Sequence, residues 1–368
     1  MRLLVTGAYG FIAKNLIVRL TEKEEYSILK YGRNDPYSSL SKLVSQADVV
    51  IHLAGENRPK DISSFQKVNT DLTKDICNLI KANKRKIPLI FASSTQVSLE
   101  NSYGKSKLDA EIFIEKFVED TGNPTSIFRF PNVFGKWGKP NYNSVVATFC
   151  HNIAHDLPIE VHDPHLKLKL IYVDDVVKNI LDIIQNNSTG LNWKAVEPEY
   201  SITLGDLADQ IERFKRSRIN LISEKVGIGL VRALYATYLS YLPPEKFSYP
   251  LQKHEDERGI FVEILKTKNS GQFSFFTTQP SVTRGGHYHH SKTEKFIVLK
   301  GYARFRFRHI ITEETYEVYV KDKGLKIIES IPGWTHEVTN IGEEDLIIMV
   351  WANEIFDRDF PDTFKCEV

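Results

Sequence analysis

A glycine turn near the N-terminus restricts the possible folds of this chain more than any other feature. Arg2–Thr6 is an apolar, strand-like run, and the segment from Gly7 to Gly10 leads from it directly into the helical pattern FIAKNLIVRLTEK. Two glycines at this spacing allow a tight turn and the close approach of a pyrophosphate, which the N–H groups of the helix N-terminus can bind. Ala13 takes the place of the third glycine of this fingerprint. The pattern favours a dinucleotide-binding βαβ unit over a plain loop.

The pattern of apolar residues changes part-way along the chain. In the first half, strand-like runs such as ADVVIHLAG, IPLIFASS and TSIFRFPNVFG alternate with helical stretches, which predicts βαβ units and a parallel sheet covered on both faces. From about Gln252, runs such as EKFIVLKG, YARFRFRHI and TYEVYVKD are β-rich and are separated by turn residues. The proline-rich stretch YLPPEKFSYP lies between the two parts. We therefore predict a Rossmann-type α/β domain at 1–243 and an all-β sandwich or barrel at 244–368.

Composition excludes a few classes of protein. The 368 residues carry 48 basic and 47 acidic side chains, so a nucleic-acid binder that works through bulk electrostatics is not expected. The three cysteines form no disulfide framework and no C-x-x-C pair, which is typical of a reducing compartment. The N-terminal apolar run is broken at Gly7, and no stretch predicts a membrane span. We expect a soluble, cytoplasmic protein without nucleic-acid or membrane partners.

The end of the second predicted strand bears on the choice of cofactor. YSILKYGRND is the best candidate for that strand, and Gly32 and Arg33 follow it, with Asp35 only later. A cofactor without a 2′-phosphate would favour an acidic residue at the strand end, where it bonds the ribose hydroxyls. Arg33 is instead placed to hold a 2′-phosphate, which favours NADP(H) over NAD(H). A solvated loop arginine is the alternative that the residue alone leaves open.

A serine, a tyrosine and a lysine form the first candidate catalytic group. The segment Tyr103–Lys107 starts the predicted helix SKLDAEIFIEKF, so Tyr103 and Lys107, at i and i+4, lie on one face, and Ser94 ends the strand before it. Such a tyrosine can act as general acid toward a carbonyl oxygen, and an ammonium beside it would lower its pKa, which is about 10 when unperturbed. Ser94 can hydrogen-bond the same carbonyl. Because Y-x-x-x-K alone is common by chance, the interpretation depends on the glycine turn and the serine.

Residues 1 to about 243 resemble an extended short-chain dehydrogenase/reductase that acts on nucleotide sugars. The resemblance is carried by TGAYGFIA, ADVVIHLAG, FQKVNTDLTKD, YGKSK, RFPNVFG and LIYVDDVV. It implies that Tyr103, Lys107 and Ser94 are the catalytic triad. The connection between Ser94 and Tyr103 is shorter than usual in the family, so the loop over the substrate is abbreviated and Ser93 remains a rival for the serine role.

The same resemblance implies which residues hold the cofactor and the substrate, and we accordingly expect NADPH as the cofactor and a UDP-sugar as the substrate. The positions that resemble cofactor-lining residues are Gly7, Gly10, Phe11, Ile12, Arg33, Leu53, Ala54, Gly55 and Lys107. The positions expected to face the substrate are Asn132, at its diphosphate, Arg58 and Asn141.

A cluster of histidines lies in the β-rich part of the chain. His287 and His289 would point to the same face of a strand, a spacing that places two imidazoles on one ion. Glu294 has the opposite parity, so a turn through Ser291–Thr293 must re-aim its side chain. His336, from a separate segment, would complete a set of three nitrogens and one oxygen, which suits zinc and also iron, manganese or nickel. A chance grouping of this kind is harder to explain than a single core or surface histidine.

These residues resemble the two cupin motifs, H-x-H-x4-E-x6-G and P-x-G-x2-H-x3-N. The first motif is complete and ends at Gly301, whereas the second has Ile331 where its proline is expected, with Pro332 next to it. The resemblance implies a cupin barrel that binds one divalent metal, most simply zinc. The metal ligands that it implies are His287, His289, Glu294 and His336.

The whole chain resembles the CapF-type family of bifunctional enzymes of capsular polysaccharide synthesis, in which a nucleotide-sugar reductase and a cupin share one chain. The resemblance implies a two-step conversion of a UDP-4-keto-6-deoxy-N-acetylhexosamine, and we expect a homodimer. The cupin would epimerise C3, and the reductase would then reduce C4 with NADPH. The product would be UDP-2-acetamido-2,6-dideoxy-β-L-talose, for capsule or O-antigen synthesis. The two steps are chemically consistent, because a 4-ketone acidifies the C3–H bond and also accepts hydride.

Two alternatives stay open. In the first, the cupin is a binding or dimerisation module beside a one-step reductase, and its metal is structural. In the second, the chain is an epimerase or dehydratase that recycles a tightly held nucleotide and turns over without added NADPH. The proton-transfer groups of the cupin also stay open, since Tyr288, His290 and Lys292 beside the cluster are equally expected as plain surface residues.

Overall fold

The computed structural model describes residues 1–186, 189–251, 254–256, 259–261, 265–267, 271–354 and 359–368. The chain divides into two compact units. The first contains Met1–Ser144 and Lys167–Ile202, and the second contains Val145–Leu166 and Thr203–Val368. The boundary predicted at 243/244 falls inside the second unit, because the helices between 203 and 239 group with the β-rich part. As a division of the sequence into domains, that boundary stays a prediction.

A six-stranded parallel sheet forms the frame of the first unit. The strands of this unit are β1 (Arg2–Thr6), β2 (Ser27–Tyr31), β3 (Val49–His52), β4 (Leu89–Ser94), β5 (Thr125–Phe130), β6 (Asn132–Phe134), β7 (Lys167–Tyr172), β8 (Leu191–Lys194) and β9 (Tyr200–Thr203). The main sheet has the order β2-β1-β3-β4-β5-β8 and is parallel throughout. β6, β7 and β9 form a smaller sheet. The order reverses at β1, and a ligand crevice is expected outside the carboxyl ends of the strands at such a point.

The strands of this sheet are apolar because the sheet is buried on both faces. Leu3 and Val5 of β1 pack in one core cluster, whereas Leu4 packs in another. Since successive side chains of a strand point to opposite faces, the two clusters lie on the two sides of the sheet. Leu16 belongs to the first cluster and Ile114 to the second, which shows that helices cover both faces. The predicted parallel α/β sheet is confirmed.

The helices follow the predicted amphipathic stretches. They are α1 (Phe11–Thr21), α2 (Tyr37–Gln46), α3 (Ser63–Phe65), α4 (Leu72–Ala82), α5 (Ser102–Thr121), α6 (Val145–Ala154), α7 (Val173–Gln185), α8 (Leu204–Asn220) and α9 (Gly229–Leu239). A π-helical segment, Gln66–Asp71, joins α3 to α4. The start of α5 is fixed by Asn101, whose side chain accepts the Gly104 N–H at 2.7 Å, and its end by Gly122 in the left-handed region. Within the described residues, no helix is both long and apolar enough to cross a bilayer.

The second unit contains two five-stranded antiparallel sheets. Its strands are β10 (Ile222–Ser223), β11 (Ser248–Pro250), β12 (His254–Asp256), β13 (Gly259–Phe261), β14 (Lys266–Thr267), β15 (Gln272–Thr278), β16 (Thr283–Tyr288), β17 (Glu294–Lys300), β18 (Tyr302–His309), β19 (Thr315–Lys321), β20 (Lys326–Ser330), β21 (Trp334–Asn340), β22 (Leu346–Ala352) and β23 (Phe364–Lys365). The sheets have the orders β11-β20-β17-β22-β15 and β19-β18-β21-β16-β23. The antiparallel β-rich region is confirmed, and its finer assignment to a cupin barrel stays a prediction.

Strand register and a β-bulge place the histidines of this unit. In the pairing of β16 with β21, His287 lies directly opposite His336, and the register shifts between Gly285 and His287. Gly285 and Gly286 both have positive φ, and a Cβ on Gly285 would lie 2.8 Å from the backbone oxygen of His336. Glycine is therefore required at this bulge, which re-aims the end of β16.

Candidate active site and candidate metal centre

A pocket of about 650 Å³ lies in the first unit. It is lined by the glycine turn, the ends of β3 and β4, the start of α5 and the segment from 130 to 144. This volume is within the usual range for small-molecule sites, about 300–1,000 Å³. Of the predicted cofactor positions, the lining includes Gly10, Phe11, Ile12, Arg33, Leu53, Gly55 and Lys107.

Gly7 and Ala54 make a close backbone contact near the glycine turn. Gly7 has φ +63, and a Cβ on it would lie 2.7 Å from the Cα of Ala54. Real Cβ atoms do not approach a backbone so closely, so only glycine fits between β1 and the end of β3. Gly10 closes the turn before α1 begins, because its N–H donates to the Gly7 oxygen at 2.8 Å. The glycine turn thus has the tight form that the sequence predicts.

Tyr103 and Ser94 lie together in the pocket lining. Ser94 ends β4, and Tyr103 belongs to the first turn of α5. Burial raises the pKa of Tyr103 above its ordinary value, and a hydrogen bond with the Ser94 side chain offsets only part of that rise. The net direction is upward because desolvation of the phenol dominates, and the lowering of this pKa by Lys107 stays a prediction. Tyr103 is therefore held in the protonated form that a general acid requires.

Lys107 is a buried ammonium, with 4% of its surface exposed. Its Nζ donates to the backbone oxygen of Ala92 at 2.8 Å, so a carbonyl dipole of β4 partly compensates the buried charge. Burial lowers the pKa of Lys107 to about 8, and the charge of Glu111 acts in the opposite direction. A Cβ on Gly55 would lie 3.2 Å from this Nζ, so the backbone after β3 also contacts the ammonium closely.

Ser93, the rival for the serine role, has a different environment from Ser94. Both hydroxyls are buried and line the pocket. The Ser94 Oγ accepts the Gln96 N–H at 3.2 Å and bonds to Tyr103, whereas the Ser93 Oγ has no hydrogen-bond partner among the described residues. A 3₁₀ turn, Thr95–Ser98, replaces a longer loop between β4 and α5. This short connection is what the spacing of the two residues predicts.

Of the three predicted substrate residues, one lines the pocket. Asn132 lines it, and its Nδ2 donates to the Lys169 oxygen at 3.2 Å. Arg58 and Asn141 are described residues that do not belong to the lining. The backbone N–H of Arg58 points at Glu56 Oε1 at 3.4 Å, and Asn141 has φ +53. Their contact with a substrate stays a prediction.

The second candidate site is the histidine cluster of the second unit. His287, His289, Glu294 and His336 each direct one ligand atom into a common space, and these atoms all lie within 4.8 Å of one another. Glu294 Oε2 is 3.1 Å from His289 Nε2 and 3.3 Å from His336 Nε2. The structure thus brings the four predicted ligands together, although they come from three strands and a loop.

The protonation of His289 shows that this space fits a cation. Its Nδ1 is 2.6 Å from the backbone oxygen of Asp362, which can only accept, so Nδ1 carries the hydrogen. In the neutral imidazole the lone pair of Nε2 then faces a carboxylate oxygen of Glu294 at 3.1 Å. Either a proton or a metal ion must lie between two such acceptors. A histidine whose other nitrogen is fixed by a carbonyl is the usual metal-ligand arrangement.

Electrostatics favour neutral His287 and His336 beside an ionised carboxylate. Burial and the neighbouring imidazoles His336 and His289 lower the pKa of His287 to about 3. Burial also lowers the pKa of His336. Burial alone would raise the pKa of Glu294, but its contacts with the imidazoles of His289 and His336 hold it well below its ordinary range. Neutral imidazole and carboxylate are the forms that bind divalent metals.

Asp362 holds the loop that carries His289. Its carboxylate accepts the backbone N–H groups of His290, Ser291 and Lys292, at 3.0, 2.9 and 2.7 Å. Lys292 is one of the predicted proton-transfer candidates. Its ammonium donates a hydrogen bond to the Pro361 oxygen at 2.7 Å. The chain just before β23 therefore closes one side of the cluster.

The turn before His336 forms in spite of its departure from the cupin motif. Ile331 is buried, and its oxygen accepts the Trp334 N–H at 3.0 Å. Gly333 has φ +84, and its N–H donates to the His289 oxygen at 3.1 Å. The expected proline is therefore not needed for this turn, because the backbone bonds fix it directly.

Comparison with known proteins places the whole chain. Residues 3–197 match the NAD dependent epimerase/dehydratase family, and residues 254–364 match the polysaccharide biosynthesis C-terminal domain. A protein of Pseudomonas aeruginosa named UDP-2-acetamido-2,6-beta-L-arabino-hexul-4-ose reductase is 49% identical over 368 residues, which are 100% of this chain and 99% of the relative. The capsular polysaccharide assembling protein CapF of Staphylococcus aureus is 39% identical, with a TM-score of 0.68 and full coverage of both chains. This chain belongs to the CapF family.

The family relation accounts for both parts of the CapF-type chain. Its first region belongs to the NAD dependent epimerase/dehydratase family, which implies a nicotinamide cofactor. A UDP-glucuronic acid 4-epimerase from Bacillus cereus, solved with NAD, has a TM-score of 0.53 at 20% identity. It covers 58% of this chain and 84% of its own length, so the likeness shows a shared fold for the first region.

Three residues of this CapF-type chain were not singled out by the sequence. Glu56 and Tyr142 line the pocket and bond to each other, and Asp362 holds the histidine loop. The sequence did hold a signal for Glu56, which directly follows the predicted cofactor-lining Gly55. A glutamate is unusual at a buried position, so this one could have been singled out. No local signal exists for Asp362, because it lies 72 residues from the backbone group of His290 that it binds.

Proposed function

We propose that this CapF-type chain is a bifunctional nucleotide-sugar enzyme of capsule or O-antigen synthesis. The C-terminal cupin epimerises C3 of a UDP-4-keto-6-deoxy-N-acetylhexosamine, and the N-terminal domain then reduces C4 to give UDP-2-acetamido-2,6-dideoxy-β-L-talose. The observation that carries the proposal is the presence of two separate sets of chemical groups in one chain: the Ser94–Tyr103–Lys107 group and the four-ligand histidine cluster. The proposal also includes a homodimer and a cytoplasmic location.

The reduction depends on the residues of the pocket. NADPH, when bound, supplies the hydride for C4. Tyr103, kept protonated by burial, donates its proton to the oxygen that becomes the C4 hydroxyl. Ser94 bonds the Tyr103 hydroxyl and orients it. Lys107 presents a buried positive charge that stabilises the phenolate left after proton transfer.

The residues of the pocket also suit an anionic cofactor and substrate. The glycine turn leads into the N-terminus of α1, and a helix N-terminus is where a pyrophosphate is bound most readily. Arg33, 79% exposed at its side chain, is the group expected to hold the 2′-phosphate of NADPH. Asn132, with Arg58 and Asn141, is expected to face the diphosphate of the UDP-sugar. The overall charge of +1 means that such local groups, and not a basic surface, bind these anions.

The epimerisation depends on the histidine cluster. His287, His289, Glu294 and His336 would hold one divalent ion, most simply zinc, since three imidazoles and a carboxylate are a common zinc set. The ion, when bound, supplies a Lewis acid that makes the C3–H bond next to a ketone more acidic. Asp362 keeps His289 in the tautomer that a metal ligand requires.

The Pseudomonas aeruginosa relative supports the reduction step, because its name gives a UDP-linked 4-ulose as the substrate of a reductase. A single 4-keto intermediate serves both steps, since the ketone activates C3 for proton exchange and accepts hydride at C4. The order follows from this chemistry, because reduction removes the ketone on which the epimerisation depends.

A second function is favoured by one observation. Four protein side chains around one ion fill a tetrahedral shell, which is typical of structural metal sites, whereas catalytic zinc keeps an open position. In this alternative the cupin is a binding or dimerisation module, and the chain is a one-step reductase.

Proton exchange separates the two functions. The full-length protein is incubated with the UDP-4-keto sugar in D₂O without NADPH, and C3 is followed by NMR. The proposal predicts deuterium at C3, and no exchange would support the structural module. When NADPH is then added, its consumption is expected. Without consumption the reductase assignment fails, and reduction without added NADPH would instead identify an enzyme that recycles a tightly held cofactor.

A further inference from the structure

One acidic residue of the pocket has no part in the proposed reaction. Glu56 follows Gly55 after β3, is 7% exposed and lies in the lining. Its Oε2 is 2.6 Å from Nη2 of Arg33, and its Oε1 accepts a hydrogen bond from the Tyr142 hydroxyl at 3.2 Å. The carboxylate thus joins the arginine after β2 to a tyrosine of the segment after β6.

The backbone at Glu56 is fixed, so the position of its carboxylate is not that of a mobile loop. Its N–H donates to Oδ1 of Asn69 at 2.8 Å, and Nδ2 of Asn69 donates back to the Glu56 oxygen at 2.9 Å. The same Nδ2 donates to Ser106 Oγ at 2.9 Å, and Asn69 is fully buried. The pair can therefore separate by rotation of the Glu56 or the Arg33 side chain, without movement of the backbone at Glu56.

Arg33 is open to solvent on the side away from Glu56. Its side chain is 79% exposed, whereas that of Glu56 is 9% exposed. A 2′-phosphate reaches the guanidinium with a charge near −2 and with three acceptor oxygens. A carboxylate on the same guanidinium occupies part of its donor fork and repels the phosphate at short range.

We infer that Glu56 is a specificity-determining residue, which competes with the 2′-phosphate of NADPH for Arg33 and so reduces the preference for NADPH over NADH. The inference rests on the proposed function, because it takes Arg33 as the phosphate-binding group. NADH carries a ribose hydroxyl in place of this phosphate, so its binding leaves the ion pair between Arg33 and Glu56 intact.

Dissociation constants of NADPH and NADH, measured by fluorescence titration of the full-length protein, test the inference. Glu56→Gln removes the charge and keeps the shape of the side chain. We expect the Kd of NADPH to fall by about three- to tenfold, and that of NADH to change by less than about twofold. Arg33→Ala should raise the Kd of NADPH by about tenfold or more and leave that of NADH unchanged.

The matched control is Glu22→Gln. Glu22 pairs with Arg19 at 2.7 Å and is a described residue outside the pocket lining, so this variant changes the net charge equally without touching Arg33. Both cofactors should bind it as they bind the unmodified protein. Thermal melting of all variants checks that each is folded.

The outcomes separate the inference from the proposed function. If Arg33→Ala weakens NADPH alone but Glu56→Gln changes neither cofactor, the phosphate site stands and the competition is wrong. An equal change for both cofactors in Glu56→Gln also overturns the inference, because the effect then does not pass through the 2′-phosphate. If Arg33→Ala does not distinguish NADPH from NADH, the assignment of Arg33 in the proposed function fails, and the inference fails with it.

Discussion

The pocket of the first unit and the histidine cluster of the second are both buried polar sites, but the chain builds them differently. In the pocket, Ser94, Tyr103 and Lys107 come from one strand end and the first turns of the next helix, so a short segment positions them. In the cluster, strand register places His287 opposite His336. Asp362, far along the chain, fixes the loop between β16 and β17 that carries His289. The first site depends on local structure and the second on long-range pairing.

The two sites also differ in the charged group on which each proposed reaction depends. The pocket buries the ammonium of Lys107 against a carbonyl oxygen, whereas the cluster buries the carboxylate of Glu294 among imidazoles. A buried cation prepares a site for anions, and a buried carboxylate prepares a site for a cation. The difference teaches that the two sites can be disturbed separately, and the following predictions test that independence.

Tyr103→Phe should give the largest and most selective effect. The variant removes the proposed acid and leaves the ring, so NADPH-dependent reduction should fall by about 10²- to 10⁴-fold. Deuterium exchange at C3 should continue, because the histidine cluster is untouched. The two rates are measured by NADPH absorbance and by NMR. Tyr37→Phe, at a side chain that is 60% exposed, is the control and should keep both activities. Equal loss of both activities in Tyr103→Phe would show that the sites are not independent.

His289→Ala should have the converse effect. Loss of a metal ligand should lower the affinity for the metal by at least about a hundredfold and abolish C3 exchange. Binding of NADPH should persist. Metal content is measured by atomic emission and NADPH binding by fluorescence. His165→Ala, at an exposed histidine of the same unit, should keep its metal. A His289→Ala protein with one tightly bound metal per chain would contradict the proposed ligand set.

Asp362→Asn tests how far the cluster depends on long-range contacts. The change weakens the acceptor for three backbone N–H groups of the His289 loop, so metal affinity should fall by about tenfold, with reduction of a supplied ketone unchanged. Competition with a chelator measures the affinity. Asp359→Asn, at an exposed aspartate nearby, is the control. If both variants bind metal equally well, the loop does not need Asp362.

The rate of the reduction should depend on pH through the groups of the pocket, with the smallest effect near neutrality. Burial lowers the pKa of Lys107 to about 8, so its charge is lost as the pH rises through that value, whereas the raised pKa of Tyr103 keeps the phenol protonated. We expect the reduction rate to fall by about tenfold per pH unit above 8. Glu111→Gln should move this inflection to lower pH, because the charge of Glu111 raises the pKa of Lys107.

The control for this shift is Glu119→Gln, at an exposed glutamate of the same helix. A rate that stays constant above pH 8 would mean that the Lys107 ammonium is not required for reduction. An inflection that moves equally in both glutamate variants would mean that net charge, and not the contact with Lys107, sets it.

The sequence predicted those parts of the molecule that local patterns determine. β1, the glycine turn and α1 follow from apolar spacing and from the φ freedom of Gly7, and the fit of Gly7 against Ala54 is the physical reason. The histidine ligands were recognisable because H-x-H is a local spacing. The upward direction of the Tyr103 pKa was not predicted, because residue identity does not reveal how strongly burial desolvates the phenol.

The contacts that the sequence did not predict are those made across the fold. The bond between Glu56 and Arg33 depends on β3 lying next to β1 and β1 next to β2, and no spacing in the chain encodes it. Asp362 is a similar case, since its partners are about seventy residues away. Such pairs become visible only when register and sheet order are known.

The bond between His289 and Asp362 also has a consequence for the maturation of the protein. These residues are 73 positions apart, so at about 5–20 residues per second the ribosome adds Asp362 on the order of ten seconds after His289. Late in this interval, once His336 has been added, the nascent chain carries the three histidines and Glu294 but still lacks the carbonyl that fixes the tautomer of His289. The proposed metal site is therefore complete only when residue 362 has folded into place.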